Sequence, residues 1–270
     1  MGKIWTNLKQ NIDRGKQGLN TGIPFEGFTT LSNQICNIQQ GRFDLIFAGT
    51  GVGKSAFVNA TYVFGAINYM QQHPEHINDL EIIYYSLEIT PELQIAKLIC
   101  ARLWEEHDIL TTVNEILSRG NFDLRPEVAL LIDKYEEDLN QIQDKFLFFK
   151  SSVTPDSLYT NIVAYAKKRG TVIYDKQGEI SGYKAFNSNL ITLIVIDHAG
   201  LISKGKYKTL KEAIDQSSKY LVFFRNVFNF SPVVISQINR GSEQMDRRDN
   251  GDNWMPMLSD IKDTGKRKTH

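Results

Sequence analysis

An α/β fold, with a mostly parallel central sheet flanked by helices, is predicted by three features of this sequence. Short apolar runs alternate with helix-patterned segments, the order that builds parallel strands joined by helical crossovers. A glycine-rich turn, A-G-T-G-V-G-K-S over residues 48–55, separates the first apolar run from the first long helical segment. The length of 270 residues, 41% of them hydrophobic, suffices for one substantial core with a small appendage and excludes global disorder.

The elements follow in order. Residues 3–14 place Ile4, Trp5, Leu8 and Ile12 on one helical face. No partner for that stripe is near in sequence, so residues 1–17 are expected to dock on something else. A Gly/Pro/Asn-rich linker runs from Gly18 to Gly27. Phe43–Phe47 reads as a buried strand, followed by the glycine turn and a helix from about Ala56 to Met70. The second strand is Ile82–Ser86, after which Thr90 caps a helix opening at Pro91. Residues 105–144 read as two helices broken around Gly120 and Pro126. A third strand, Phe146–Phe149, leads to a second Thr-Pro start at Thr154 and a helix ending at Lys167–Gly170. Residues 172–185 look like an inserted β-hairpin turning at Lys176–Gly178. Ile191–Ile196 is the fourth strand and leads to Asp197; a helix over about 209–230 returns to the fifth, Pro232–Ser236.

Lysine plus arginine equals aspartate plus glutamate at 31 each, so a nucleic-acid partner must be held by a local groove. Cys36 and Cys100 sit in apolar surroundings without metal-ligand spacing and are expected to be buried, reduced thiols. No apolar run approaches the roughly 20 residues of a membrane span. The first residues lack a secretory apolar core, and a cytoplasmic location without a membrane partner is expected. His73 and His76 flank Pro74 without a third ligand, which argues against a metal site there.

The turn itself carries the chemistry. Gly49, Thr50, Gly51, Val52 and Gly53 let backbone N–H groups converge on phosphate oxygens at the start of a helix, with Ala56 in its first turn. Lys54 is expected to reach the β- and γ-phosphates of ATP, and the Ser55 hydroxyl to ligate Mg²⁺. Asp197 ends its strand where a carboxylate would hold that Mg²⁺. Glu88 follows the second strand and is expected to polarise the attacking water. In open α/β sheets ligands gather at the carboxyl ends of strands, so both acids point to one crevice. Gln237, just past the fifth strand, is suited to sensing the γ-phosphate, although a satisfied polar strand end would look the same.

Four further segments bring a family into view. Y-S-L-E-I-T-P-E, L-I-V-I-D-H, V-V-I-S-Q-I-N-R and P-M-L-S-D-I-K-D-T-G, in that order after the P-loop, resemble the RecA-like motor domain of DnaB-type replicative helicases, from about Gly18 to Gly265. The resemblance implies a hexameric ring, of bacteriophage type, that hydrolyses Mg-ATP between subunits and moves 5′ to 3′ on single-stranded DNA. It assigns Glu88 as catalytic glutamate, Asp197 as Walker B acid and Gln237 as γ-phosphate sensor. Lys262, Asp263, Thr264 and Gly265, with Arg240, match the loops that contact DNA phosphates, work suited to lysine and backbone amides. The helix of residues 1–17 matches the linker that packs on the adjacent subunit.

There are departures. No family-type domain is expected before the linker helix, and so no primase recruitment through one. After Asp197 the family's bulky residue, leucine and glutamine give way to His198-Ala199-Gly200; His198 either touches the γ-phosphate region or packs. Past Gly265 the family continues into a further strand and an arginine finger that no residue here matches. Residues 18–270 are therefore expected to be a motor domain lacking the family's C-terminal strands, as a naturally short form, a fragment, or one completed by another chain, with weak hydrolysis. Lys204, Lys206, Lys208 and Lys211 face either DNA or solvent, and Arg247, Arg248 and Trp254 lie in a mixed-charge loop. A RecA-like recombinase, or an ATP-switched DNA-binding protein without processive unwinding, uses the same phosphate machinery and stays open.

Overall fold

A computed structural model describes residues 2–17 and 21–237. Five strands form one parallel sheet: β1 (Asp44–Ala48), β2 (Leu80–Ser86), β3 (Leu147–Lys150), β6 (Ile191–Asp197) and β7 (Ser231–Gln237), in the spatial order β1-β7-β6-β2-β3. β4 (Gly170–Tyr174) and β5 (Ile180–Ala185) make the separate antiparallel hairpin. All five core strands and the hairpin stand where the sequence predicts them.

The central strands read as continuous apolar runs because both faces are covered. Along β2, Leu80, Ile82 and Tyr84 enter the cluster formed with the P-loop helix and the segments after β2, whereas Ile83 and Tyr85 enter the opposite one. β6 divides the same way: Leu193 and Val195 face one side, Ile194 and Ile196 the other. The second layer is closed by α9 (Pro155–Arg169) and α10 (Leu210–Phe228), with Phe224 and Phe228 stacked at 5.9 Å. Thr154 caps α9 through a capping box with Ser157, and Thr209 caps α10 by accepting from Glu212 N–H. The hairpin is fastened to the end of α10 by Tyr183, whose ring meets Phe228 at 5.2 Å and Phe230 at 5.9 Å.

The helix after the P-loop is not uniform. α3 (Lys54–Val58) passes through a π turn (Asn59–Val63) into α4 (Phe64–Gln72). A Cβ on Gly65 would stand 2.3 Å from the Ala60 carbonyl oxygen, so the turn needs glycine at that position. Gly65→Ala is expected to lower stability by about 1–3 kcal/mol, the scale of an overpacked core position. Urea unfolding measures this, and an unchanged midpoint would show that the π turn tolerates a methyl group.

Three readings of the sequence are revised. Residues 105–144 are not two helices: α5 (Pro91–His107) ends at left-handed Asp108, and α6 (Val113–Ile116), α7 (Pro126–Lys134) and α8 (Glu136–Lys145) follow. α7 and α8 part at buried Tyr135, which is held by its hydroxyl on Glu106 and by Arg102 over its ring, tertiary contacts that periodicity does not report. Part of the Gly18–Gly27 linker is core: Ile23 pairs with Ile38 around α2 (Thr29–Ile35), and Ile23, Phe25 and Ile38 are buried. The cysteines are not both buried; Cys36 is exposed at the left-handed end of α2 and Cys100 is half-buried. No helix among the described residues is long and apolar enough to cross a membrane.

Candidate nucleotide site

Parallel pairing brings the carboxyl ends of the strands to one edge, and the candidate residues collect there. Ala48 is in register with Gln237, and Ser86 with Asp197. A single strand, β7, separates the P-loop strand from the strand that carries Asp197.

The turn from Gly49 to Gly53 connects β1 to α3. Gly51 and Gly53 adopt φ of 78° and 89°, and a Cβ at either would meet nothing within 4 Å. Backbone conformation, and not space, is what requires glycine at these two positions. Thr50, Gly51, Val52 and Gly53 are exposed, as is Ala56. Helical geometry running from Lys54 to Gln72 aims unpaired amides and the positive end of the dipole at this turn.

Lys54 Nζ donates to the carbonyls of Ala48 at 3.0 Å and Gly49 at 2.6 Å, which folds the ammonium over the turn. Burial draws its pKa below the ordinary lysine value, while Glu88 and Asp197 pull it back upward. Those two carboxylates therefore lie within electrostatic reach of the same cation. Ser55 Oγ donates to Asp197 Oδ1 at 3.0 Å, joining the first helical turn to the tip of β6. Asp197 is 2% exposed. Burial raises its pKa, hydrogen bonds from Ser55 and Tyr84 lower it, and the charge of Glu88 raises it again. A hydroxyl beside a carboxylate is a hard-oxygen donor pair of the kind Mg²⁺ takes, so the residues present fit that ion.

Glu88 is exposed on the bend between β2 and α5, and Leu87 N–H donates to the Asp197 carbonyl at 2.8 Å, which keeps the two strand tips together. At the other side of Asp197, across a cis peptide, His198 lies with its Nε2 3.3 Å from the Gln237 amide. Gly200 N–H donates to His198 Nδ1 at 3.2 Å. The Gln237 atom that lies against the ring is its amide nitrogen, Nε2, so which group donates follows from the tautomer of His198.

Lys54, Ser55, Glu88, Asp197 and Gln237 thus gather at one edge. Arg240, Lys262, Asp263, Thr264 and Gly265 lie outside the described residues, as do Arg247, Arg248 and Trp254. Lys204, Lys206, Lys208 and Lys211 are exposed, and Lys206 is paired with Asp156 at 3.0 Å. A concavity of about 470 Å³ at the opposite end of the sheet, lined by Arg14, Gln40, Asp79 and Asn229 among others, contains none of Lys54, Ser55, Glu88, Asp197 and Gln237. Sequence reading passed over Asn59, Tyr84, Ser86 and Gln94, polar groups packed behind Asp197. The available signal was an asparagine and a glutamine on helix positions surrounded by apolar residues.

Sheet order, the turn with its helix and the paired strand tips define a RecA-like P-loop domain. The chain matches the family described as DnaB-like helicase C terminal domain over residues 22–268, and it belongs to that family. Among solved structures it is similar to one described as an ATPase domain, with TM-score 0.65 and 20% identity, covering 97% of this chain and 77% of that one. A DnaB-like replicative helicase, in a structure describing its interactions with primase, is similar with TM-score 0.62 and 20% identity, covering 98% of this chain and 53% of that one. No curated protein matches by sequence.

Proposed function

We propose that this chain is the ATP-driven motor of a replicative DNA helicase, working on single-stranded DNA as a ring with Mg-ATP hydrolysed at subunit interfaces. The observation that carries the reading is the Ser55–Asp197 hydrogen bond, which sets a hydroxyl and a carboxylate beside Lys54 at the head of the P-loop helix. Backbone amides of Gly49–Lys54 would hold the phosphates, and Lys54 would exchange its loop carbonyls for phosphate oxygens. Ser55 and Asp197 would hold Mg²⁺, which neutralises charge on the β- and γ-phosphates. Glu88, on the solvent side of buried Asp197, would orient and polarise water, and Gln237 would report on the γ-phosphate.

The remaining assignments rest on family membership and on surface chemistry. α1 (Gly2–Lys16) keeps Trp5, Leu8 and Ile12 exposed, a stripe suited to a neighbouring subunit, so residues 1–17 are the proposed linker and residues 18–270 the motor. Lys262–Gly265 and Arg240 are the proposed DNA contacts, the polarity is 5′ to 3′, and the location is the cytoplasm, the host's if the chain is of bacteriophage origin. Primase, named with the second structural neighbour, is a further partner to be tested.

Mass in solution with a non-hydrolysable ATP analogue and oligo-dT, together with ATPase rates with and without that DNA, tests the reading. A ring-sized assembly whose turnover is raised by DNA is expected. A monomer indifferent to DNA would overturn the ring motor, and filaments in electron micrographs would favour the recombinase alternative.

A further inference from the structure

Behind Asp197 lies a chain of buried polar side chains from three different elements. Asn59, on the π turn, donates from Nδ2 to Gln94 Oε1 at 2.8 Å. Gln94, on α5 and 0% exposed, donates from Nε2 to the Tyr84 hydroxyl at 3.0 Å and to Ser86 Oγ at 3.2 Å. From there the path forks. The Tyr84 hydroxyl lies 3.1 Å from Asp197 Oδ2 and 3.1 Å from Asn59 Oδ1. It has one proton, which the ionised carboxylate attracts more strongly than a neutral amide. Ser86 Oγ donates to the Ile89 carbonyl at 2.7 Å, closing the bend that carries Glu88.

We propose that Gln94 is a positioning residue that sets the separation of the two acids, holding Asp197 through Tyr84 and the Glu88 bend through Ser86, with Asn59 tying the assembly to the P-loop helix. Each donor points the same way along both arms, an arrangement in which hydrogen bonds polarise one another. Full burial means that a broken link is not replaced by water, so the geometry of each acid depends on its arm. Ser55 fixes one oxygen of Asp197 and Tyr84 the other, which leaves the carboxylate a single orientation. The inference rests on the nucleotide reading, because it concerns what these residues do for a metal and a water at that site.

The test uses the full chain, with Mn²⁺ binding in the presence of ADP read by electron paramagnetic resonance, ATP turnover, and melting temperature as the control for folding. Tyr84→Phe is expected to weaken Mn²⁺ binding about tenfold, the scale of one lost hydrogen bond to a charge. Its turnover recovers when more metal is added. Ser86→Ala is expected to lower kcat about tenfold in a way that added metal does not restore. Gln94→Met should do both. If Gln94→Met folds and leaves metal binding and kcat within about twofold of the parent chain, the inference is wrong. Should that variant not fold, the single-arm variants decide: Tyr84→Phe and Ser86→Ala must each move its own readout, and a uniform loss across both overturns the two-arm assignment. A parent chain that binds no Mn²⁺ with ADP would remove the nucleotide reading itself, a result visible before any variant is made.

Discussion

Glu88→Gln is expected to lower ATP turnover by roughly 10²–10⁴-fold, the usual worth of a group that takes or directs a proton, while nucleotide binding stays within a few-fold of the parent chain. The argument is a division of labour by burial. Asp197 is buried, with one oxygen accepting from Ser55 and the other from Tyr84, and the proposed reading gives it to Mg²⁺, not to the attacking water. Glu88 is exposed at the same sheet edge and close enough for its charge to act on both Lys54 and Asp197. Glutamine preserves the shape and hydrogen-bonding length of the side chain but cannot act as a base. Single-turnover and steady-state ATPase assays, beside fluorescence titration with a labelled nucleotide, separate the two effects. A variant that hydrolyses at the parent rate would make Glu88 a bend residue only; one that no longer binds nucleotide would mean that its charge serves the phosphate site.

Strands were the most legible part of this fold, for a physical reason. β2 and β6 are covered on both faces, so their apolar runs are uninterrupted over almost every position and need no partner to be recognised. The glycine turn was equally plain, since the glycines at 51 and 53 answer a local backbone demand that neighbours do not alter. What failed was whatever depends on distant contacts. The division of α7 from α8 at Tyr135 is made by Glu106 and Arg102, and the folding of Ile23 against Ile38 makes core from a stretch whose composition reads as linker. Asn59 illustrates the same limit inside the site. Its partner Gln94 lies on another helix, 35 residues away in sequence, a pairing that helical periodicity does not report. The acids could be named from their places at strand ends, whereas the side chains that hold them could not.

Lys54→Met should abolish nucleotide-induced stabilisation while leaving the free protein nearly unchanged. In the parent chain, nucleotide at 100 times its Kd contributes about 2.7 kcal/mol to folding, which for a domain of this size raises Tm by roughly 5–10 °C. That rise depends on a cation meeting phosphate charge at the turn, and Lys54 is the residue folded over it. Methionine keeps the aliphatic stem and removes the charge, so packing of the stem cannot account for a loss. Free stability has little reason to fall far, because burial already works against the charged form of Lys54 and the two loop carbonyls left without a donor belong to half-buried residues beside the exposed turn. Catalysis should drop by about 10²–10³-fold or more, the scale of one lost charge-stabilising group. Differential scanning fluorimetry with and without Mg-ATP reads the first effect directly. A full ATP-dependent rise in Lys54→Met would place the triphosphate elsewhere and separate the glycine turn from the motor's chemistry.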